Sequence, residues 1–201
     1  LWVQEEKSHW NWENFIKEDQ GKENKFQGKL QILSAKIHGK ALSMTKTIDE
    51  ASGSIDFYAY PDLGISFKGK IGQSVLNIDG NWNNGQFSMI SIKSDILNLS
   101  DFRDSMPTIQ DIRIEDGKIT ALTITTKRDA KGVATWQTEG AFSGLQLTGK
   151  KNITDGKGLF SGNQDGIKLS ETSFIISGQQ TSGQGALSWP KGVARIDAVF
   201  S

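Results

Sequence analysis

Over residues 54–89 the chain reads SIDFYAYPDLGISFKGKIGQSVLNIDGNWNNGQFSM, with apolar residues at every second position. Ile55, Phe57 and Ala59 form one run, and Ile65 and Phe67 a second. Leu76, Ile78 and, one step skipped, Trp82 form a third, and Phe87 and Met89 a fourth. Side chains alternate faces along a β-strand, so each run has one apolar and one polar side; a helix would scatter the same residues around its axis. Turn formers separate the runs: Tyr60-Pro61-Asp62, residues 69–74, and Asn83-Asn84-Gly85. The pattern predicts a β-meander, and most of the chain repeats it.

Before the meander, residues 8–17 predict a helix. Ser8 stands as N-cap, and Trp12, Phe15 and Ile16 fall on one face. The polar residues 18–25 read as a linker, 29–38 as a strand, and 41–47 as a further strand joined through Gly39. Beyond the meander, Ile96, Leu99, Phe102 and Met106 recur at steps of three or four before Pro107, which predicts a short helix over 95–106. The sheet then resumes. Ile112 and Ile114, a turn at Glu115-Asp116-Gly117 and residues 119–126 read as a hairpin. Further strands are expected at 134–140, 142–148, 158–161, 167–170, 173–177, 185–189 and 194–200. Turn signals sit at Lys131-Gly132, Asp155-Gly156, Asp165-Gly166, Ser182-Gly183 and Pro190-Lys191-Gly192. Strands at this spacing define an all-β chain: a sandwich, a barrel or an open groove. Three parts are expected: an N-terminal helix and linker (1–26), a first β block (27–107) and a second (108–201).

Charge and residue usage narrow the function. The 201 residues carry 23 basic and 23 acidic side chains, a formal net charge of +0 and no basic excess for nucleic acid or an anionic membrane surface. No apolar run approaches the roughly 18 residues that cross a bilayer. The chain has no Cys, which excludes disulfides, thiolate zinc sites and a Cys nucleophile. Leu1 at the first position and a strand-like run stopping at Ser201 are read as marks of a piece cut from a longer protein, with its end strands left as edges.

Chemical motifs are sparse. His9 and His38 are far apart, which disfavours a zinc site or a His-based triad. Gly156, Gly158 and Gly162 echo a phosphate loop but precede no helix, and Asp155-Gly156 and Asp165-Gly166 lack the ligand spacing of a calcium loop. Asn98-Leu-Ser100 and Asn152-Ile-Thr154 match the glycosylation pattern, which matters only in a eukaryotic secretory setting. No enzyme signature, cofactor or metal is called for. Trp82, Trp136 and Trp189 belong to strands or their ends, as core in a closed sandwich or as ligand surface in an open sheet.

A family likeness adds to this. Trp10-Asn-Trp12-Glu-Asn-Phe15 and a polar linker lead into Phe26-Gln-Gly-Lys-Leu-Gln-Ile-Leu-Ser-Ala-Lys-Ile-His-Gly-Lys. Ala51-Ser-Gly-Ser-Ile-Asp-Phe57, Ile65-Ser-Phe-Lys-Gly-Lys-Ile71 and Leu76-Asn-Ile-Asp-Gly-Asn-Trp82 follow, then Leu97-Asn-Leu-Ser-Asp-Phe102 before a Pro and a new strand block. Over residues 8–150 this resembles the AsmA-like superfamily and, within it, the TamB family of translocation and assembly module subunits. The resemblance implies a strongly curved, taco-like, repeating β-groove with one or two short helices, in the periplasmic part of an inner-membrane-anchored envelope protein. It implies transport of phospholipid between the two membranes, an Omp85-type outer-membrane barrel as partner of the full-length protein, and a link to outer-membrane protein assembly.

On this reading the groove-lining residues are Ile55, Phe57, Ile65, Phe67, Leu76, Ile78, Phe87, Met89, Ile112, Ile114, Leu122, Ile124, Leu145 and Leu147. Each reads equally as packed core, and a one-residue slip flips a whole strand. Two rival functions stay open. One is an edge-strand chaperone that pairs with outer-membrane β-proteins. The other is a closed sandwich that binds carbohydrate or protein on Trp82, Trp136 or Trp189.

Overall fold

The computed structural model describes residues 27–38, 47–59, 61–84, 86–105, 111–129, 131–149, 152–188 and 195–201. The expected helix over 8–17, the strand over 41–47 except Thr47, and Trp189 lie outside these residues. Within them the chain is nearly all strand: β1 (Gly28–His38), β2 (Thr47–Ala59), β3 (Asp62–Ile71), β4 (Ser74–Asn83), β5 (Gln86–Asn98), β6 (Arg113–Arg128), β7 (Ala134–Thr148), β8 (Ile153–Asn163), β9 (Gly166–Ile176), β10 (Gln179–Ser188) and β11 (Arg195–Phe200). They form one open, curved antiparallel sheet in sequence order, from β1 at one edge to β11 at the other. β5 and β6 pair directly, so the sheet runs unbroken through the 107/108 boundary.

The register sorts the side chains, because paired residues share a face. Ile65 opposes Ile55 and Gly80, Phe67 opposes Ile78, and Ile78 opposes Ile92, which places all these side chains on one side. Ser66 opposes Asp79 and Lys68 opposes Asn77 on the other. The polar side is tied by surface contacts such as Ser66 Oγ donating to Asp79 Oδ1 at 2.8 Å.

Several strands are longer than the sequence pattern predicts, and bulges are the reason. Residues 112–126 are no hairpin: β6 runs 16 residues through Glu115-Asp116-Gly117. Its register shifts on either side of Asp116. Gly117 takes φ +142° where a Cβ would lie 3.1 Å from both Leu145 Cα and Leu99 Cδ1. The expected pairs of strands at 134–140/142–148 and 167–170/173–177 are likewise the single strands β7 and β9. Gly144 and Glu171 take left-handed φ of +59° and +51° where their registers shift. Asp155-Gly156 is a bulge inside β8, with Asp155 at φ +56°, and Ser182-Gly183 lies within β10. Each bulge adds a residue, bends its strand and increases the twist.

The expected helix over 95–106 is displaced as well. β5 continues through Asn98, and only Leu99–Ser105 coils, as a 3-10 segment. Ile96 faces outward, 52% exposed, while Leu97 and Leu99 are buried. Ser94 opposes Leu122, and Leu97 opposes Ile119. All of these but Ile96 point inward, so β5 and β6 each carry one extra residue at the same level. Ala121, at φ +52°, marks it.

The 3-10 segment is fastened to the β3–β4 turn. One Asp101 carboxylate oxygen accepts from Gln73 N (2.9 Å), Ser74 N (3.1 Å) and Ser74 Oγ (2.8 Å), and Ser74 Oγ in turn accepts from Asn98 N (2.8 Å). Arg103 donates through Nε to the Glu115 carbonyl at 3.1 Å. These bonds press Leu99 and Phe102 onto the apolar face. There Ile71, Leu76, Leu97, Leu99 and Leu122 form the buried core, with Ile48, Ile92, Phe102, Ile119 and Ile124 against it.

Candidate functional site

Beside that core the apolar face opens into a hollow of about 470 Å³. Leu99 bounds it from the 3-10 segment, Ile114 and Ile119 from β6, and Phe142, Leu145 and Leu147 from β7. Ile153 and Phe160 come from β8, and Ile167, Leu169, Phe174 and Ile176 from β9. Every lining side chain is aliphatic or Phe. The hollow spans three inter-strand spacings, about 14 Å, and its volume falls within the roughly 300–1,000 Å³ of small-molecule pockets.

Glycines on this face let the rings lie down. Gly158 opposes Phe142, and a Cβ on it would meet Phe142 Cζ at 2.9 Å and Thr172 Cγ2 at 2.7 Å. Phe142 thereby stacks on Phe174 two strands away, with centroids 6.4 Å apart and planes inclined by 18°. The glycine-rich stretch that echoes a phosphate loop thus gives rings room inside a strand.

Twelve of the fourteen expected lining residues divide into three groups. Ile114, Leu145 and Leu147 line the hollow, sharing Leu99, Phe142 and Phe160 as neighbours in its wall. Leu76 and Leu122 are buried in the adjoining core, and Ile124 packs against it. Ile55, Phe57, Ile65, Phe67, Ile78 and Phe87 share the apolar face on β2–β5, outside the hollow's lining. Two are placed elsewhere. Met89 opposes Asn81 on the polar face, because Ser88 is an extra residue between it and Phe87, with its Oγ donating to the Asn81 carbonyl at 3.1 Å. Ile112 stands before β6, 45% exposed.

The pattern missed most of the wall: Ile119, Phe142, Ile153, Phe160, Ile167, Leu169, Phe174 and Ile176, besides Leu99. Their alternation is visible, as in Gly158, Phe160 and Gly162 or Thr172, Phe174 and Ile176. The bulges cut each strand into halves that read as separate elements.

At the opposite end of the strands the apolar face has a different rim. Trp82 opposes Phe87, Trp136 opposes Thr126 and Arg128 opposes Ala134, all on the apolar side. The Arg128 guanidinium lies over the Phe87 ring, with Cζ 4.4 Å from the centroid, a cation–π contact worth roughly 0.5–2 kcal/mol. Its Nη1 donates to the Gly132 carbonyl at 3.0 Å. Its Nε is buried with no hydrogen-bond partner.

Among the described residues no group of three or more His, Asp or Glu side chains could hold a metal ion, and no helix is long and apolar enough to cross a membrane. The hollow can sequester apolar matter and offers no group for bond chemistry. In comparisons with family models, curated proteins and solved structures, nothing matches this chain.

Proposed function

We propose that this chain is a lipid-conducting segment of a TamB-like envelope protein, sheltering phospholipid acyl chains on their way across the periplasm between inner and outer membranes. The observation that carries the reading is the all-apolar hollow on the inner face of an open sheet. An acyl chain in aqueous surroundings gains about 0.8 kcal/mol for each CH₂ it buries. A strand sheet with one apolar and one polar face supplies that shelter while remaining hydrated outside. No reacting group is required, so the proposed role is conduction and not catalysis. An Omp85-type barrel and an inner-membrane anchor belong to the full-length protein in this proposal.

The test is native mass spectrometry with lipid extraction on the chain purified gently from bacterial lysate. Co-purified phospholipid, lost in Ile167→Glu while the far-ultraviolet circular dichroism of the sheet persists, is the expected result. A folded chain with a clean apo mass, which also takes up no lipid from added vesicles, would overturn the proposal in favour of a closed binding module.

A further inference from the structure

We infer that Arg128 is the headgroup site of the groove, selecting amphiphiles that carry an anionic phosphate with no neutralising charge. The inference rests on the lipid-groove reading and adds a substrate class to it. Arg128 stands on the apolar face, among Phe87, Trp82 and Trp136, where a cation has no reason to lie for solubility. Among the described residues no carboxylate lies within ion-pair distance of it. The neighbouring acid, Asp129, is turned into its own loop, its Oδ1 accepting from Lys131 N at 2.8 Å and Val133 N at 2.9 Å.

Arg128 is therefore a fixed positive charge with no carboxylate partner among the described residues. Phe87 and the Gly132 carbonyl hold the guanidinium plane, and its Nε is left buried and unpartnered. Buried polar groups are ordinarily satisfied, and an orphaned one on an Arg fits a missing anion that accepts from the guanidinium fork. The geometry also fits an amphiphile. Ile124 shares its level across the sheet with Thr138, Gly162 and Ile167, the last of these in the hollow's wall. Arg128 lies four residues beyond that level, about 13 Å along the strand. Phospholipid chains reach about 15 Å from their headgroup, half of a bilayer's ~30 Å hydrocarbon core. A phosphate at Arg128 thus lays its chains along the apolar face to the margin of the hollow.

The experiment offers the chain mixed vesicles of phosphatidylglycerol and phosphatidylcholine with identical acyl chains, then reads bound lipid by native mass spectrometry. Phosphatidylglycerol is expected to be enriched about tenfold, the factor that one charged hydrogen bond supplies. Arg128→Gln should bring the ratio to near parity, and Arg128→Lys should keep most of it. Thr126→Glu, which leaves Arg128 in place and sets a carboxylate two residues away on the same face, should also abolish the preference. This second route remains decisive if the Gln variant folds poorly. Equal binding of both lipids by the unaltered chain, or a preference that survives both Arg128→Gln and Thr126→Glu, overturns the headgroup site while the groove stands. Binding of neither lipid overturns the groove reading itself. Inorganic phosphate separates a lipid headgroup from a free anion: it should displace no lipid at millimolar concentration, and phosphate that saturates Arg128 in lipid-free protein would overturn the amphiphile assignment.

Discussion

The two halves of the apolar face carry the same alternating pattern and end differently. On β3–β6 the inward side chains meet the 3-10 segment and close into a core in which Ile71 is 1% exposed and Leu99 6%. On β6–β9 the inward side chains are as apolar, yet they surround a hollow. Leu99 belongs to both, as a core residue on one side and a wall on the other. Composition does not separate these outcomes. What separates them is a lid: seven residues held down by Asp101 cover the end of the first half at Ile71, Leu76, Leu97 and Leu122, and no described segment covers the second. An apolar sheet face thus becomes core or groove according to what its loops bring back to it.

The largest expected effect comes from adding a charge to each half. Ile71→Glu buries a carboxylate without a partner and should cost several kcal/mol, enough to abolish cooperative unfolding in urea. Ile167→Glu puts the same carboxylate at the hollow, where water can follow it. That variant should retain a cooperative transition within about 1.5 kcal/mol of the parent and lose bound lipid. If both variants unfold, the hollow is core like the first half and the contrast collapses.

The next effects are expected in the devices that shape each half. Asp101→Ala removes the acceptor shared by Gln73 N, Ser74 N and Ser74 Oγ, and Ser74 is fully buried. The loss should be about 1–3 kcal/mol by chemical denaturation, with easier hydrogen exchange at Asn98. On the other side, Gly158→Ala sets a methyl against Thr172 Cγ2 and Phe142 Cζ. Overpacking of this kind costs about 1–3 kcal/mol. It should show as a lower urea midpoint with unchanged slope, and as a loosened Phe142–Phe174 stack in the ring proton shifts. A neutral result at Gly158 would mean that the rings have room they do not use.

The sequence makes the class of fold and most of the facing legible, because period two is a strong signal wherever it runs unbroken. Ile55, Phe57, Ile65, Phe67 and Ile78 stand on the apolar side as the alternation implies. The failures cluster where the period resets. Asp155-Gly156 and Glu115-Asp116-Gly117 carry the residues of a hairpin turn, and a bulge uses the same residues for the same reason, a left-handed or extended glycine-type backbone. Local sequence therefore cannot choose between turning the chain and bending it. Met89 is lost to one extra residue at Ser88, and Ile96 to the paired reset at Ala121. The hollow was illegible for another reason. Whether Phe142, Phe160 and Phe174 pack against a lid or face open space depends on contacts between strands, which no local window contains.

The smallest expected effect sharpens the comparison by making the second half resemble the first. Ile167→Phe adds apolar volume at the wall without charge, opposite Gly162, whose missing side chain leaves room for the ring, and leaves Asp101 and Gly158 unaltered. Filling an apolar cavity in this way commonly raises stability by about 0.5–2 kcal/mol. The variant should melt at or slightly above the parent temperature, and it should carry less lipid in native mass spectra. Stability and lipid occupancy would then move in opposite directions, as they must if the open volume serves a guest and not the fold. If both fall together, the substituted ring has disturbed the strand and the hollow is too tightly packed to be a conduit. If lipid is retained at full occupancy, the acyl chains lie elsewhere on the apolar face, along Ile55, Phe67 and Ile78.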